Sequence, residues 1–213
     1  MENIQIPNEN VKRYFLLANA GKKLFESGNG TLRLEEKYKR IFDEIFGLTR
    51  GELDERITDK VRLVRYDRFD WHQGQLPLRD IGPWPKMHSL DIRLTTGNIE
   101  DTARDIEKVK KGKLVLQYGD KREEEKRTNA FHRFLEKSGS IRDNLDFVYG
   151  RFPLILFPSG EIREKGYNTW IRENSSPLCM VFEYDLDDGN NRAVNYALEG
   201  IDHAPCFYRT SKR

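Results

Sequence analysis

Asp91 and Arg93 stand two residues apart in a stretch, Leu90 to Thr95, that reads as a strand, so both side chains are expected to leave it on one face. Beside them Thr95, Thr96, Gly97 and Asn98 supply hydroxyls, a flexible backbone and a helix start whose first-turn N–H groups point outward. Such a junction suits a phosphate. A carboxylate next to a cation, at the start of a helix, is the combination that holds a divalent metal and a scissile phosphodiester together. The plain alternative is a surface ion pair followed by an ordinary N-cap.

Other groups of residues also bear on chemistry. Glu183, Asp185, Asp187 and Asp188 close an apolar run, Leu178 to Tyr184, and carboxylates gathered at a strand end suit magnesium. The same letters, Asp-Asp-Gly-Asn, are also turn chemistry, with Gly189 supplying a positive φ. His72, His88 and His203 show no metal-ligand spacing with the two cysteines, Cys179 and Cys206, which cannot form a disulfide framework or a four-thiolate site. The Gly28-Asn29-Gly30 triplet lacks the strand and flanking residues of a dinucleotide fingerprint, so it reads as a loop and no nucleotide cofactor is indicated. Basic and aromatic residues interleave at Arg62, Arg65, Tyr66 and Arg68; at Trp71, His72 and Gln73; at Lys165, Tyr167, Asn168, Trp170 and Arg172; and at Tyr208, Arg209, Lys212 and Arg213. Arg and Lys reach phosphates or guanine edges, and Asn or Gln reads adenine, so nucleic acid is the partner these clusters favour over a small metabolite.

The segment Thr96-Gly-Asn-Ile-Glu-Asp-Thr-Ala-Arg-Asp-Ile-Glu-Lys-Val109 resembles the stretch after the catalytic strand in BamHI-like type II restriction endonucleases, members of the PD-(D/E)xK nuclease superfamily. There too a Thr-Gly-Asn-Ile opens a helix that leads to a strand. The resemblance implies a metal-dependent endonuclease acting on double-stranded DNA as a homodimer, with Mg2+ as cofactor. An ungapped alignment puts Arg93 and Thr95 on the family's carboxylate positions, whereas a two-residue shift puts Asp91 and Arg93 there. On the shifted alignment Asp91 and an earlier acid, Asp80 ahead of Asp70 or Asp67, hold the metal. Arg93 then steadies charge but cannot act as a base, since a guanidinium stays protonated. Thr96 and Asn98 orient the substrate, and Arg65, Arg68, Lys165 and Arg209 contact nucleic acid. The alternative function is a noncatalytic nucleic-acid-binding or regulatory protein of a virus, plasmid or defence system. Arg127 and His132 also resemble, by their Arg-x4-His spacing, the pair of the all-helical HEPN ribonucleases.

These residues need a scaffold, and the pattern of apolar residues supplies one. Val11 to Glu26 repeats with a helical period after Asn10, a candidate N-cap, and Gly28 and Gly30 end it. Leu34 to Phe46 repeats likewise, and Leu53 and Ile57 suggest a short third helix. Val61 to Tyr66 alternates apolar and basic residues as a half-exposed strand does. Asp67 to Ser89, with three prolines, two glycines and two tryptophans, reads as a long irregular excursion. Further on, helices are expected at Ile99 to Lys111, Arg122 to Lys137 and Ile141 to Tyr149. Strands are expected at Leu114 to Tyr118, Phe152 to Phe157 and Leu178 to Tyr184, with a strand or basic tail from Cys206.

With 213 residues the chain is long enough to bury a real core. The expected fold is a single α/β domain with a central mixed β-sheet flanked by helices. Residues 1–60 form its N-terminal helical layer and residues 61–213 its mixed core. The 37 Lys and Arg against 35 Asp and Glu leave a net charge of +2, which excludes binding to polyanions by bulk charge but not a local basic surface. No apolar run approaches the roughly 18 residues of a membrane span, and Met1 to Asn10 are polar, so a soluble, cytoplasmic protein is expected.

Overall fold

A computed structural model describes residues 4–25, 31–83, 90–95, 97–158 and 182–209. Strand β1 (Ile4–Ile6) is followed by four helices, α1 (Asn8–Phe25), α2 (Thr31–Phe46), α3 (Arg50–Arg56) and α4 (Lys60–Arg68). Strand β2 (Trp71–Pro77), a 3-10 turn at Leu78–Asp80 and the two-residue β3 (Ile81–Gly82) come next. A second 3-10 turn (Ile92–Leu94) precedes α5 (Ile99–Lys110), α6 (Lys121–Arg142) and α7 (Leu145–Arg151). The chain then forms β4 (Leu154–Pro158), β5 (Tyr184–Asp188), α8 (Asn190–Leu198) and β6 (His203–Tyr208).

The six strands make one mixed sheet in the order β1-β2-β6-β4-β5-β3, parallel at β6/β4 and β5/β3 and antiparallel elsewhere. The protein is a single-domain α/β fold with helices on the sheet. The central strand β4 is buried along its whole length, and period-2 alternation sends Leu154 and Leu156 to one face and Ile155 and Phe157 to the other. On the first face they meet Ile99 and Ile106 of α5, Phe134 of α6, Val148 of α7 and Val194 of α8. On the second they meet Val11 and Phe15 of α1, Ile57 just past α3, and Tyr66 of α4. A sheet covered on both faces explains why β4 reads as an unbroken apolar run. No helix among the described residues is long and apolar enough to cross a membrane.

Several expectations need correction. Val61 to Tyr66 is helix, not strand: Asp59 caps α4 by accepting the Arg62 N–H at 3.0 Å, and Arg62, Leu63 and Tyr66 fall on its inner side. Six residues of apolar-basic alternation fit a helical face as well as a pleat, and the cap decides. Leu90 to Thr95 is not a strand either, because Asp91 folds back on its own backbone and starts the 3-10 turn. Leu114 to Tyr118 has no regular structure, with Val115 on the outside. The presumed excursion from Asp67 contains β2, one of the better-paired strands, registered from His72↔Tyr208 to Pro77↔His203 against β6. Helix α6 runs through the boundary expected after Lys137, and Asp-Asp-Gly-Asn is both a turn and a start, with Gly189 at φ 108° leading into α8. Helix α1 begins at Asn8, so Asn10 lies in its first turn. Gly28, Gly30 and the run from Leu178 to Val181 lie outside the described residues.

Candidate nucleic-acid interface

Asp91 and Arg93 do come together, but with each other. The Asp91 carboxylate accepts the Arg93 backbone N–H and Nε at Oδ1, both at 2.9 Å, and Arg93 Nη2 at Oδ2, also at 2.9 Å. The Tyr118 side chain hydrogen-bonds to the same carboxylate, and its ring lies 4.8 Å from the Arg93 guanidinium carbon. Arg93 Nη1 also donates to the Gln117 carbonyl at 2.8 Å. Burial pushes the Asp91 carboxyl up, yet the Arg93 hydrogen bonds and charge outweigh it and hold the group below the ordinary aspartate range. The pair thus pins the loop before α5 to the loop after it. Its carboxylate oxygens already point at protein donors, so a metal would have to displace them.

The start of α5 is equally self-contained. The Asn98 side chain accepts the Asp101 N–H at 2.8 Å while Asp101 reaches back to the Asn98 N–H, a capping box. Glu100 and Asp101 place negative charge in the first turn, where it complements the helix dipole and opposes an incoming phosphate. Thr96 lies outside the described residues, as does Lys165. Asp80 sits in the 3-10 turn before β3, 4.0 Å from Arg79 Nε. Asp67 is committed to the buried Lys12 and to Arg50, at 2.8 and 3.4 Å, and Asp70 is exposed. Arg127 and His132 sit five residues apart on α6, about 140° around the helix, and Arg127 pairs with Glu123 at 3.0 Å.

The acidic strand end divides between two faces. Asp188 accepts from Arg192 at 2.6 Å at the start of α8, while Asp187 points to the opposite face of the sheet. There it receives Arg62 Nε at 3.0 Å and Nη2 at 3.2 Å and the Tyr66 hydroxyl at 2.6 Å. The Arg62 guanidinium lies over the Phe15 ring at 4.6 Å. Asp187 is only 3% exposed at the side chain. Burial is the largest influence on it and pushes its carboxyl up, although Arg62 and Tyr66 pull the other way. Burial also raises the Tyr66 hydroxyl well above the usual tyrosine value, so it stays protonated and donates. No group of three or more His, Cys, Asp or Glu side chains among the described residues is arranged to hold a metal ion.

With Arg62 and Tyr66 turned inward, the outer side of α4 carries Val61, Val64, Arg65 and Arg68, spaced i, i+3, i+4 and i+7. Val61 is 57% exposed and Val64 48%. Arg68 is exposed and Arg65 half-buried. Phe69 caps the C-terminus of α4, and the guanidinium carbon of Arg209, just past β6, lies 3.6 Å from its ring centre. Arg209 thus stands over the residue that follows Arg68, with Arg65 one turn back on α4. Spacing could flag Arg65 and Arg68 as one group; only the pairing of β2 with β6 adds Arg209. Compared with known proteins, the chain matches no family model, no curated protein and no solved structure.

Proposed function

We propose that this protein binds nucleic acid through the outer side of α4 and the adjoining Arg209–Phe69 stack, and that it does so without cleaving its partner. Arg65 and Arg68 beside the exposed valines of α4, with Arg209 on the Phe69 ring at its end, carry this reading. Guanidinium groups neutralise phosphates in fork geometry and stack on aromatic rings. The noncatalytic part rests on the Asp91 carboxylate, whose oxygens are held by Arg93.

The test is a salt-dependent binding titration with duplex and single-stranded oligonucleotides. Each lost phosphate contact lowers the slope of log K against log salt by about 0.9 on duplex and about 0.7 on a single strand. The Arg65→Ala/Arg68→Ala variant is therefore expected to lose about two contacts' worth of slope relative to the wild type. Salt-independent or absent binding by the wild type overturns the reading. The endonuclease and its Mg2+ are tested in the same tubes: cleavage of mixed-sequence DNA with Mg2+, abolished by Asp91→Ala, would replace the noncatalytic reading. A homodimer, which the restriction-enzyme resemblance implies, is read directly by sedimentation velocity.

A further inference from the structure

We infer that Asp187 is the positioning residue for the binding face of α4, an inference that rests on α4 being that face. Arg62 and Tyr66 are four residues apart, one turn of helix, and both end on the single Asp187 carboxylate. One side chain from β5 therefore grips a full turn of α4 from behind. The opposite side of that turn presents Val61, Val64, Arg65 and Arg68. A nine-residue helix is too short to hold its shape alone, so its pose comes from what it packs on. Its cap at Asp59 is exposed; its other anchors are Leu63, Tyr66 and Phe69 on the second face of the sheet, the Phe15 ring against Tyr66, Trp71 Nε1 on the Tyr66 carbonyl, and Asp67 on Lys12 and Arg50. Together with these anchors the Asp187 carboxylate sets rotation and depth. A bidentate arginine fork sets the angle of the helix about its axis, and the Tyr66 hydroxyl sets the distance to the sheet.

The experiment compares Asp187→Asn with the wild type at a temperature where far-UV circular dichroism shows both fully folded. Two readouts are taken: amide hydrogen exchange of Leu63 to Arg68, with α5 on the other face of the sheet as internal control, and the salt dependence of oligonucleotide binding. Faster exchange confined to α4, together with about tenfold weaker binding at 0.1 M salt and a slope reduced by about one contact, is the expected result. A purely structural role would lower the unfolding temperature and leave affinity and slope unchanged under these conditions. Unchanged α4 exchange overturns the inference whatever the binding does. Faster exchange with unchanged binding also overturns it, and the Arg65→Ala/Arg68→Ala variant then shows what failed. If that variant still loses slope, only the positioning inference falls; if it binds like the wild type, the α4 binding reading falls with it. Tyr66→Phe, which removes one hydrogen bond and keeps the ring, gives the same readouts if Asp187→Asn does not fold.

Discussion

Among the described residues two aspartates are gripped by an arginine fork, and they behave oppositely. Asp91 meets Arg93 two residues away, with Arg93 44% exposed and Asp91 7%. Asp187 meets Arg62 across 125 residues of sequence and is nearly sealed. For both, burial is the largest influence and favours the neutral acid. At Asp91 the Arg93 side chain, its backbone N–H and its charge outweigh burial, and the carboxyl titrates below its usual range. At Asp187 the same kinds of partner do not, and the carboxyl titrates above it. An ion pair at the rim of a fold behaves as a clamp stabilised by its charge. One under a helix behaves as a positioning device whose charge is costly to keep dry.

The comparison breaks most decisively at the arginines. Arg62→Ala leaves Asp187 in a dry site without its counter-charge and is expected to cost about 3–5 kcal/mol, measured by chemical denaturation near neutral pH. Tyr66→Phe removes the 2.6 Å hydroxyl donor to the same carboxylate and is expected to cost about 1.5–3 kcal/mol. Arg93→Ala keeps the backbone N–H that Asp91 accepts and loses a half-exposed side chain, so about 1 kcal/mol is expected. An Arg93→Ala cost equal to that of Arg62→Ala would erase the distinction between clamp and device.

The pH dependences sharpen it. Asp91 has a depressed folded value, so its stabilisation is complete above the ordinary aspartate value, near pH 4, and is lost as pH falls through the lower folded value. Asp187 has a raised folded value, so its native form holds a proton that the unfolded chain releases near pH 4; stability falls as pH rises from there through the folded value. Measured as wild type minus Asp91→Asn, stability should rise with pH below about 4; measured as wild type minus Asp187→Asn, it should fall with pH above about 4. Two curves of the same sign would refute the contrast. The smallest effect is expected for Arg68→Ala, within about 0.5 kcal/mol of the wild type in stability, because Arg68 is exposed on the outer side of α4.

Much of the scaffold is legible in the residues themselves. The 3.6-residue repeats of Leu34, Ile41, Ile45 and of Ile99, Ile106 announce α2 and α5, because a one-sided helix needs its apolar stripe. The run Leu154 to Phe157 announces a fully covered strand. What misleads is short and polar: Val61 to Tyr66 fits both periods, and Trp71 to Pro77 lacks the β-branched residues that mark strands, although β6 and β1 pair with it on both sides. The site divides along the same line. Asp91 and Arg93 are visible as a pair because their separation is two residues. Arg62 and Tyr66 are visible as members of one cluster and Asp187 of another, and nothing in the spacing says that the two clusters meet.

By its own pattern, then, the sequence determined an α/β domain with a helical opening, a buried β4, and clusters of basic and aromatic residues. Hydrophobic periodicity and capping are local, and local patterns survive in one dimension. The tertiary structure decided which arginine of α4 turns inward and which turn out, because that choice depends on a carboxylate 125 residues away entering the same dry space. It likewise turned the Asp-x-Arg pair from a metal site in prospect into a clamp closed on itself, since Tyr118 and the Gln117 carbonyl stand where the chain folds back beside it.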